Sequence, residues 1–260
     1  MQALRTRRFG HESLFFEEID STNRWLLANE ELFRLSGATV VADHQTAGRG
    51  RHGRQWHDAQ GKSLLFSVLL RPEAKASPLG LLSLMAGTAV ARAIGRIDRH
   101  FSEKLRLKWP NDVLIDGRKV AGILVESISA GTRFCAVIGV GVNLWQSEDE
   151  LPKATRWPAS SLRMLSAISV SREDLIAEIL NELEAVYDLF QEGRTAELID
   201  HWVSLSLPLG TELAVESGGS VIKGIYAGIG IGGQLLLKGA DGTLHGIHSG
   251  EILWKETCDE

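Results

Sequence analysis

The pattern of this chain changes abruptly near Pro208. Before that residue lie long segments, among them the most apolar stretch at residues 78–91 and an amphipathic stretch at residues 171–191. After it, short alternating segments follow one another between glycine turns, at residues 212–215, 221–226, 234–238, 243–248 and 252–254. Short strands at this spacing are typical of a small β-barrel or sandwich. The sequence therefore predicts two domains, at residues 1–207 and 208–260.

The first domain mixes helical and strand patterns, which predicts an α+β fold. One helix is expected to begin at Asp20 or Ser21 and another at Ser171, because each of these side chains can cap a helix. Two further helices are predicted at residues 79–97 and 195–205. Strands are predicted at residues 38–42, 62–70, 105–109, 113–115, 119–127 and 134–144, with a hairpin turn at Asp116-Gly117. Residues 145–170 lack periodicity and are interpreted as a long loop that serves as a lid.

Composition excludes several classes of protein. The 260 residues carry a formal net charge of −5, which argues against a general nucleic-acid-binding role. The two cysteines, Cys135 and Cys258, lack metal-binding spacing and favour a reducing compartment. No signal peptide is visible, and the most apolar stretch is too short to span a bilayer. We therefore expect a cytoplasmic protein without a membrane or nucleic-acid partner.

Cationic charge is nevertheless concentrated in one short segment. Residues 48–54 read Gly-Arg-Gly-Arg-His-Gly-Arg and are followed by Gln55 and Trp56. Closely spaced glycines let backbone N–H groups approach a ligand, and arginine pairs well with phosphate. This segment predicts a site for a small anionic ligand such as a nucleotide. The alternative is a solvated or RNA-contacting Arg/Gly loop.

A second run, Lys108-Trp-Pro-Asn-Asp112, is followed seven residues later by Lys119. The proline makes a rigid turn between two strands, and a predicted hairpin brings Lys119 across to Asp112. A carboxylate beside two ammonium groups can hold Mg²⁺ together with phosphate oxygens. The alternative is an ordinary β-turn with exposed lysines.

Other motifs narrow the chemistry. Gly139-Val-Gly-Val-Asn143 lies within a predicted strand and lacks the third glycine of a dinucleotide fingerprint, so its glycines are expected to let a ligand lie against a sheet. Ser21-Thr22-Asn23 is either a helix cap or a set of polar ligand contacts. No nucleophile signature is present, which favours a reaction driven by positioning and charge.

Together these motifs resemble those of biotin protein ligases, in order and spacing. The resemblance also includes Gln45 and Arg118-Lys-Val-Ala-Gly-Ile-Leu-Val-Glu126, and it extends from about residue 19 to residue 255. It implies a mixed sheet flanked by helices, as in class II aminoacyl-tRNA synthetases and lipoyl ligases, with a C-terminal SH3-like barrel. Many relatives add an N-terminal DNA-binding domain; the few residues before the matching region predict a monofunctional enzyme without that domain.

The resemblance implies an ATP-dependent ligase. Such an enzyme converts biotin and ATP to biotinyl-5′-AMP with Mg²⁺, then transfers biotin to a lysine of a biotin carboxyl carrier domain of an acyl-CoA carboxylase. Relatives include monomers and homodimers. Two rivals stay open: a lipoate–protein ligase of the same superfamily, and a nucleic-acid-binding module that uses the Arg/Gly segment. An inactive biotin sensor would lack the lysine and aspartate present here.

Site residues follow from the matching motifs. The catalytic residues are Lys119 and Arg51, and Asp112 is a candidate Mg²⁺ ligand. The implied biotin-binding residues are Ser21, Thr22, Asn23, Gln45, Gly48, Arg49, Gly50, Arg51, Lys119, Gly122, Gly139 and Gly141. The implied ATP-binding residues are Arg51, Arg54, Trp56, Lys108, Asn111, Asp112, Lys119, Asn143, Glu251 and Lys255. His52 and Lys255 stand where many relatives have arginine.

Overall fold

The larger of two sheets forms the centre of the protein. The structure is a computed structural model that describes residues 3–72, 79–130, 133–153, 157–166 and 170–253. The seven strands of this sheet are β1 (Ser13–Ile19), β2 (Thr39–Gln45), β3 (Ser63–Leu70), β4 (Leu105–Lys108), β5 (Asp112–Ile115), β6 (Arg118–Ala130) and β7 (Arg133–Asn143). Their order is β1-β2-β3-β7-β6-β5-β4. Only β1 and β2 run parallel; the other neighbours in this sheet are antiparallel.

Helices cover both faces of this sheet, which confirms the predicted mixed sheet flanked by helices. They are α1 (Thr22–Ala28), α2 (Leu79–Ile97), α3 (Leu162–Leu165), α4 (Arg172–Gln191) and α5 (Thr195–Leu205). Helix α2 packs against β6, α4 and α5, whereas α1 packs against β3 and β7. Two separate hydrophobic clusters result, one under α2 and one under α1. Helix α2 extends beyond the apolar stretch and is long and apolar enough to cross a membrane, which corrects the length expected from the sequence. Most of its residues are nevertheless buried in the core, as predicted.

Local signals explain where the elements begin and end. Ser21 and Ser171 cap α1 and α4 by accepting from the N–H groups of Arg24 and Asp174. The predicted hairpin turn is present, with Asp116 at φ 49° and Gly117 at φ 69°, the left-handed values of a two-residue turn. Such caps and turns depend on a few neighbouring residues, so they are visible in the sequence.

Two local features differ from the prediction. Strand β1 was not predicted, because it is an edge strand with no buried residue and therefore no alternating apolar pattern. The segment 145–170 is not wholly irregular: it contains a 3₁₀ turn at Glu148–Glu150 and the short helix α3. Residues 154–156 and 167–169 of this segment lie outside the described residues.

A second, antiparallel sheet follows α5. Its strands are β8 (Glu212–Ser217), β9 (Ser220–Ile229), β10 (Leu235–Lys238), β11 (Leu244–Ile247) and β12 (Glu251–Ile252), in the order β11-β10-β9-β8-β12. Val215 and Tyr226 of this sheet belong to the same hydrophobic cluster as Leu107 of the larger sheet. The Trp109 indole also donates to the Gly233 carbonyl at 3.0 Å. The boundary at residue 207 remains a prediction, since the two sheets share one core.

Candidate active site

One cavity of about 550 Å³ lies against the central sheet. Residues of the Arg/Gly segment (48–54), of the segment 145–170 and of strand β12 complete its lining. Its volume is in the usual range for a small-molecule site. Of the described residues, five cationic side chains and two carboxylates line it, a formal excess of three positive charges. The chain as a whole carries −5. This contrast is what a site for anionic substrates requires.

Nearly all residues predicted for the site meet in this cavity. Among the described residues, Gly48 alone of the predicted set does not line the cavity. It is the first residue of the segment, and its carbonyl accepts from the Trp56 N–H at 3.0 Å. A side chain at Gly48 would clash with the Trp56 carbonyl, 2.8 Å from the added Cβ. Lys255 lies outside the described residues.

A hydrogen-bonded corner is formed by the start of α1, the end of β2 and the middle of β3. The N–H and hydroxyl of Thr22 donate to Gln45 Oε1 at 2.8 and 3.0 Å, which fixes the orientation of the Gln45 amide. Ser67 Oγ lies 2.6 Å from Thr22 Oγ1 and 2.7 Å from Asn23 Oδ1. Ser21 remains the cap of α1. Both interpretations of Ser-Thr-Asn therefore fit: Ser21 caps the helix, and its neighbours face the cavity.

The floor of the cavity is made of glycine. Gly122 of β6 and Gly141 of β7 are paired across the sheet, and Gly139 lies two residues along β7. An added Cβ would lie 2.5 Å from the Trp56 ring at Gly141, and 2.4 Å from Asn23 Oδ1 at Gly139. At such distances a side chain on either glycine would force Trp56 or Asn23 to move, so glycine is the residue that fits the observed arrangement. The groups that approach these glycines in this structure are the side chains of Trp56 and Asn23, and the approach of a ligand stays a prediction.

Two lysines hold one buried aspartate. Lys108 Nζ lies 2.6 Å from Asp112 Oδ2, and Lys119 Nζ lies 2.6 Å from Asp112 Oδ1. Burial alone would raise the pKa of Asp112, but the two ammonium groups outweigh it and hold that pKa well below its usual range. Both lysines line the cavity, but the Lys108 side chain is only 1% exposed and that of Lys119 is 29% exposed. Lys119 is thus a cation of fixed position, set by the hairpin.

The metal role predicted for Asp112 is not supported by its surroundings. Each carboxylate oxygen already contacts a lysine ammonium, and Asn111 donates its amide to the Ile123 carbonyl at 2.8 Å. In the described part of the chain, no group of three or more His, Cys, Asp or Glu residues could hold a metal ion. These residues do not fit a resident Mg²⁺.

Residues 48–56, here called the Arg/Gly loop, form a narrow hairpin over the cavity. The Gly50 N–H donates to the Arg54 carbonyl at 2.7 Å, and His52 and Gly53 take positive φ at the tip. Arg51 donates to the Gly250 carbonyl at 3.3 Å, and Arg54 forms a two-pronged ion pair with Glu251. The loop thus joins the central sheet to the second sheet.

Pro152, Trp157 and Ala159 of the predicted lid segment also line the cavity. Asn143 donates its amide to the Ser160 carbonyl at 3.0 Å, and Lys119 pairs with the lid backbone on both sides of Ala159. Trp157 lies with its ring 5.2 Å from Lys108 Nζ and donates its indole N–H to the Ile252 carbonyl. Asn143 therefore positions the lid as well as lining the cavity.

The sequence motifs did not indicate the remaining residues that line the cavity: Gln55, His57, Phe66, Pro110, Ile123, Leu124, Val140, Pro152, Trp157 and Ala159. Most of them are apolar, and several, such as Pro110 and Val140, lie within the motifs but carry no polar group that would have marked them as ligand contacts. Trp157 is the exception, because a tryptophan in a loop with no helix or strand to bury it indicates a ligand or interdomain contact.

A positively charged cavity with a fixed ammonium, a glycine floor and a cationic loop is suited to hold anionic substrates and to stabilise developing negative charge. The sequence model of the biotin/lipoate A/B protein ligase family matches residues 15–143. The bifunctional ligase/repressor BirA of Bacillus spizizenii is 34% identical, over 96% of this chain and 76% of that protein. The biotin–[acetyl-CoA-carboxylase] ligase of Mycobacterium tuberculosis is 36% identical, over 84% of this chain and 79% of that protein.

Solved structures of biotin protein ligases have the same fold. The biotin protein ligase from Aquifex aeolicus in complex with biotin and ATP matches with a TM-score of 0.76 at 29% identity, covering 93% of this chain and 97% of that chain. The chain therefore belongs to the biotin/lipoate A/B protein ligase family, and within it to the biotin protein ligases.

Proposed function

We propose that this enzyme activates biotin with ATP and transfers it to a lysine of a biotin carboxyl carrier domain of an acyl-CoA carboxylase. The observation that carries the proposal is the excess of positive charge around a cavity whose lining matches the predicted biotin and ATP residues. Relatives solved with biotin and ATP, and with biotinyl-5-AMP, support the same substrates.

In the first step, a biotin carboxylate oxygen forms a bond to the α-phosphorus of ATP, and the bond to pyrophosphate breaks. Two anions must approach each other, so the barrier is largely electrostatic. We assign the neutralising charge to Lys119, whose ammonium is held by Asp112 at 2.6 Å. A cation whose position is set before substrate binds needs no reorganisation in the transition state.

Biotin is assigned to the corner of Thr22, Asn23 and Gln45 and to the glycine floor beneath it. The ATP phosphates are assigned to Arg51, Arg54 and Lys108, with Trp157 and Asn143 on the lid side. The Trp56 indole N–H is buried without a hydrogen-bond partner among the described residues. A bound ligand oxygen would satisfy this donor, which supports a ligand position beside Trp56.

In the second step, the amine of the carrier lysine attacks the biotinyl carbonyl carbon, and AMP leaves. The adenylate must survive until the carrier arrives. We assign its protection to the Arg/Gly loop, in which Arg51 and its neighbours cover the mixed anhydride and exclude water. We further propose that Mg²⁺ enters as part of the MgATP substrate, because the surroundings of Asp112 do not fit a resident ion.

The location is proposed to be cytoplasmic, without nucleic-acid or membrane partners, and with the protein acting as a monomer or homodimer.

The proposed reaction is tested by an assay of purified protein with MgATP and either biotin or lipoate, followed by addition of a carboxyl carrier domain. We expect pyrophosphate release with biotin and a mass increase on one carrier lysine. Pyrophosphate release with lipoate alone would instead assign the lipoate ligase activity.

A further inference from the structure

Glu126 lies on β6, four residues beyond Gly122, and is not among the residues that line the cavity. Its two carboxylate oxygens bind groups from two other elements. Oε1 lies 2.9 Å from Arg49 Nη1 in the Arg/Gly loop. Oε2 accepts from Asn23 Nδ2 on α1 at 2.8 Å. One side chain thus joins the loop to the hydrogen-bonded corner of the cavity.

The contact to Arg49 acts on the whole loop. Arg49 and Gln55 form an antiparallel bridge, flanked by the bonds from Gly50 to Arg54 and from Trp56 to Gly48. The loop is therefore a narrow hairpin, and holding one arm restrains the other. The Arg49 side chain is 45% exposed and that of Glu126 is 20% exposed, so solvent screens the pair and its effect is moderate.

The contact to Asn23 reaches the floor of the cavity. Asn23 is buried, and its Oδ1 contacts Ser67 and faces Gly139. Its Nδ2 is shared between Glu126 and the Leu124 carbonyl. A ligand that contacts Asn23 changes the strength of the bond to Glu126, and through it the hold on Arg49. Such coupling acts equally in both directions.

We propose that Glu126 is a positioning residue that couples closure of the Arg/Gly loop to occupation of the Asn23 corner. The identity of the ligand at that corner, biotin, rests on the proposed function. Glu126 does not line the cavity, so its role is to position other residues. It stabilises the closed loop before ATP arrives, and biotin binding at Asn23 alters that closure.

The test measures hydrogen exchange of the backbone amides of residues 48–56 by mass spectrometry in the ligand-free enzyme. Glu126→Gln keeps the size and an acceptor for Asn23 but removes the charge that holds Arg49. We expect exchange to rise about threefold to fivefold, the range of a partly exposed ion pair. Arg49→Gln should give the same rise, and the double variant no more than either single variant. Glu17→Gln, on the exposed edge strand β1, is the matched control and should leave exchange unchanged.

Unchanged exchange in Glu126→Gln, or additive effects in the double variant, would overturn the proposal. If circular dichroism shows that Glu126→Gln is unfolded, Arg49→Lys is compared with Arg49→Gln instead. The lysine keeps the positive charge, so exchange in Arg49→Lys should be close to that of the wild type. Exchange as fast as in Arg49→Gln would overturn the proposal.

The coupling is tested by adding biotin. Biotin should change the hydrogen-exchange rate of residues 48–56 in the wild type. The ratio of the rates with and without biotin should be about threefold closer to one in Glu126→Gln, again the range of a partly exposed ion pair. An equal change in both proteins would overturn the coupling. A wild type that neither responds to biotin nor releases pyrophosphate would overturn the proposed function, while the ligand-free comparison would still decide whether Glu126 restrains the loop.

Discussion

At the scale of single residues, the site depends on one buried carboxylate between two ammonium groups. Asp112 holds Lys108 inside the protein and Lys119 at the edge of the cavity. The two lysines are placed differently: Lys108 is almost fully buried and compensates the charge of Asp112, besides its assignment to the ATP phosphates, whereas Lys119 is more exposed and presents its ammonium to both substrates.

Lys119→Ala should abolish most adenylation and spare biotin binding. The ammonium is needed most where charge develops in the transition state, so we expect kcat for pyrophosphate release to fall about 10²- to 10³-fold. Biotin affinity, measured by calorimetry, should change much less. Lys104→Ala removes a lysine that pairs with Asp116 at the surface and is the control. Retained kcat in Lys119→Ala would contradict the assigned role.

Asp112→Asn should destabilise the fold, because it leaves the buried Lys108 ammonium without a charged partner. A loss of about 3 kcal/mol in the free energy of unfolding is expected. Asp116→Asn, at an exposed pair with Lys104, should cost less than about 1 kcal/mol. Urea denaturation of both variants gives the comparison, and equal losses would contradict the buried-pair account.

The same carboxylate predicts a pH dependence. Because its pKa is lowered in the folded state, Asp112 stabilises the protein fully above the ordinary value of 3.8, and this contribution is lost as the pH falls below it. The stability difference between wild type and Asp112→Asn should therefore stay constant from about pH 7 to pH 5 and shrink below about pH 4. A difference that shrinks near neutral pH would contradict this assignment.

At the scale of elements, two adjacent strands supply a floor without side chains. β6 and β7 carry glycine where the Trp56 ring and the Asn23 amide come closest. Neither strand needs glycine for its own conformation, because Gly122, Gly139 and Gly141 do not have positive φ. Their requirement is steric and comes from other elements.

Gly139→Ala should damage the Asn23 corner while the sheet remains folded. The added methyl group would lie 2.4 Å from Asn23 Oδ1, so Asn23 must move. We expect biotin affinity to fall about 10- to 100-fold, since small displacements of positioning groups have large effects. Gly87→Ala, in α2 with its nearest atom at 3.5 Å, is the control and should bind biotin normally. Equal affinities would mean that biotin does not depend on this corner.

At the scale of the whole molecule, the second sheet completes both the core and the site. Val215 and Tyr226 share a hydrophobic cluster with Leu107. The loop reaches across to Glu251, and Trp157 donates to the Ile252 carbonyl. The predicted division at residue 207 therefore separates two patterns of sequence that pack as one body.

Thermal unfolding should be a single cooperative transition. Residues from both sheets are buried together, so neither sheet keeps its core without the other. Differential scanning calorimetry would test this. Two separable transitions, or a stable fragment of residues 1–207 with a folded near-ultraviolet spectrum, would show that the sheets fold independently.

Much of this enzyme was predictable from the sequence because the signals are local. Caps at Ser21 and Ser171, the Asp116-Gly117 turn and the apolar helix α2 each depend on neighbouring residues. The Arg/Gly segment and the lysines were recognisable as anion-binding chemistry for the same reason. Strand β1 was not predictable, since it is held by pairing with β2 and buries no residue of its own.

The contacts between distant segments had to come from the fold. Arg49 and Glu126, Arg54 and Glu251, and Trp56 and Gly141 meet only because the sheet and the loop bring them together. The residue types thus specified that the chain binds anions with cationic side chains. The three-dimensional packing specified which carboxylate neutralises which cationic side chain, and which cationic side chain is presented to substrate. The physical reason is that a charge or a hydroxyl acquires its role from neighbours within a few ångströms, and those neighbours are far away in the chain.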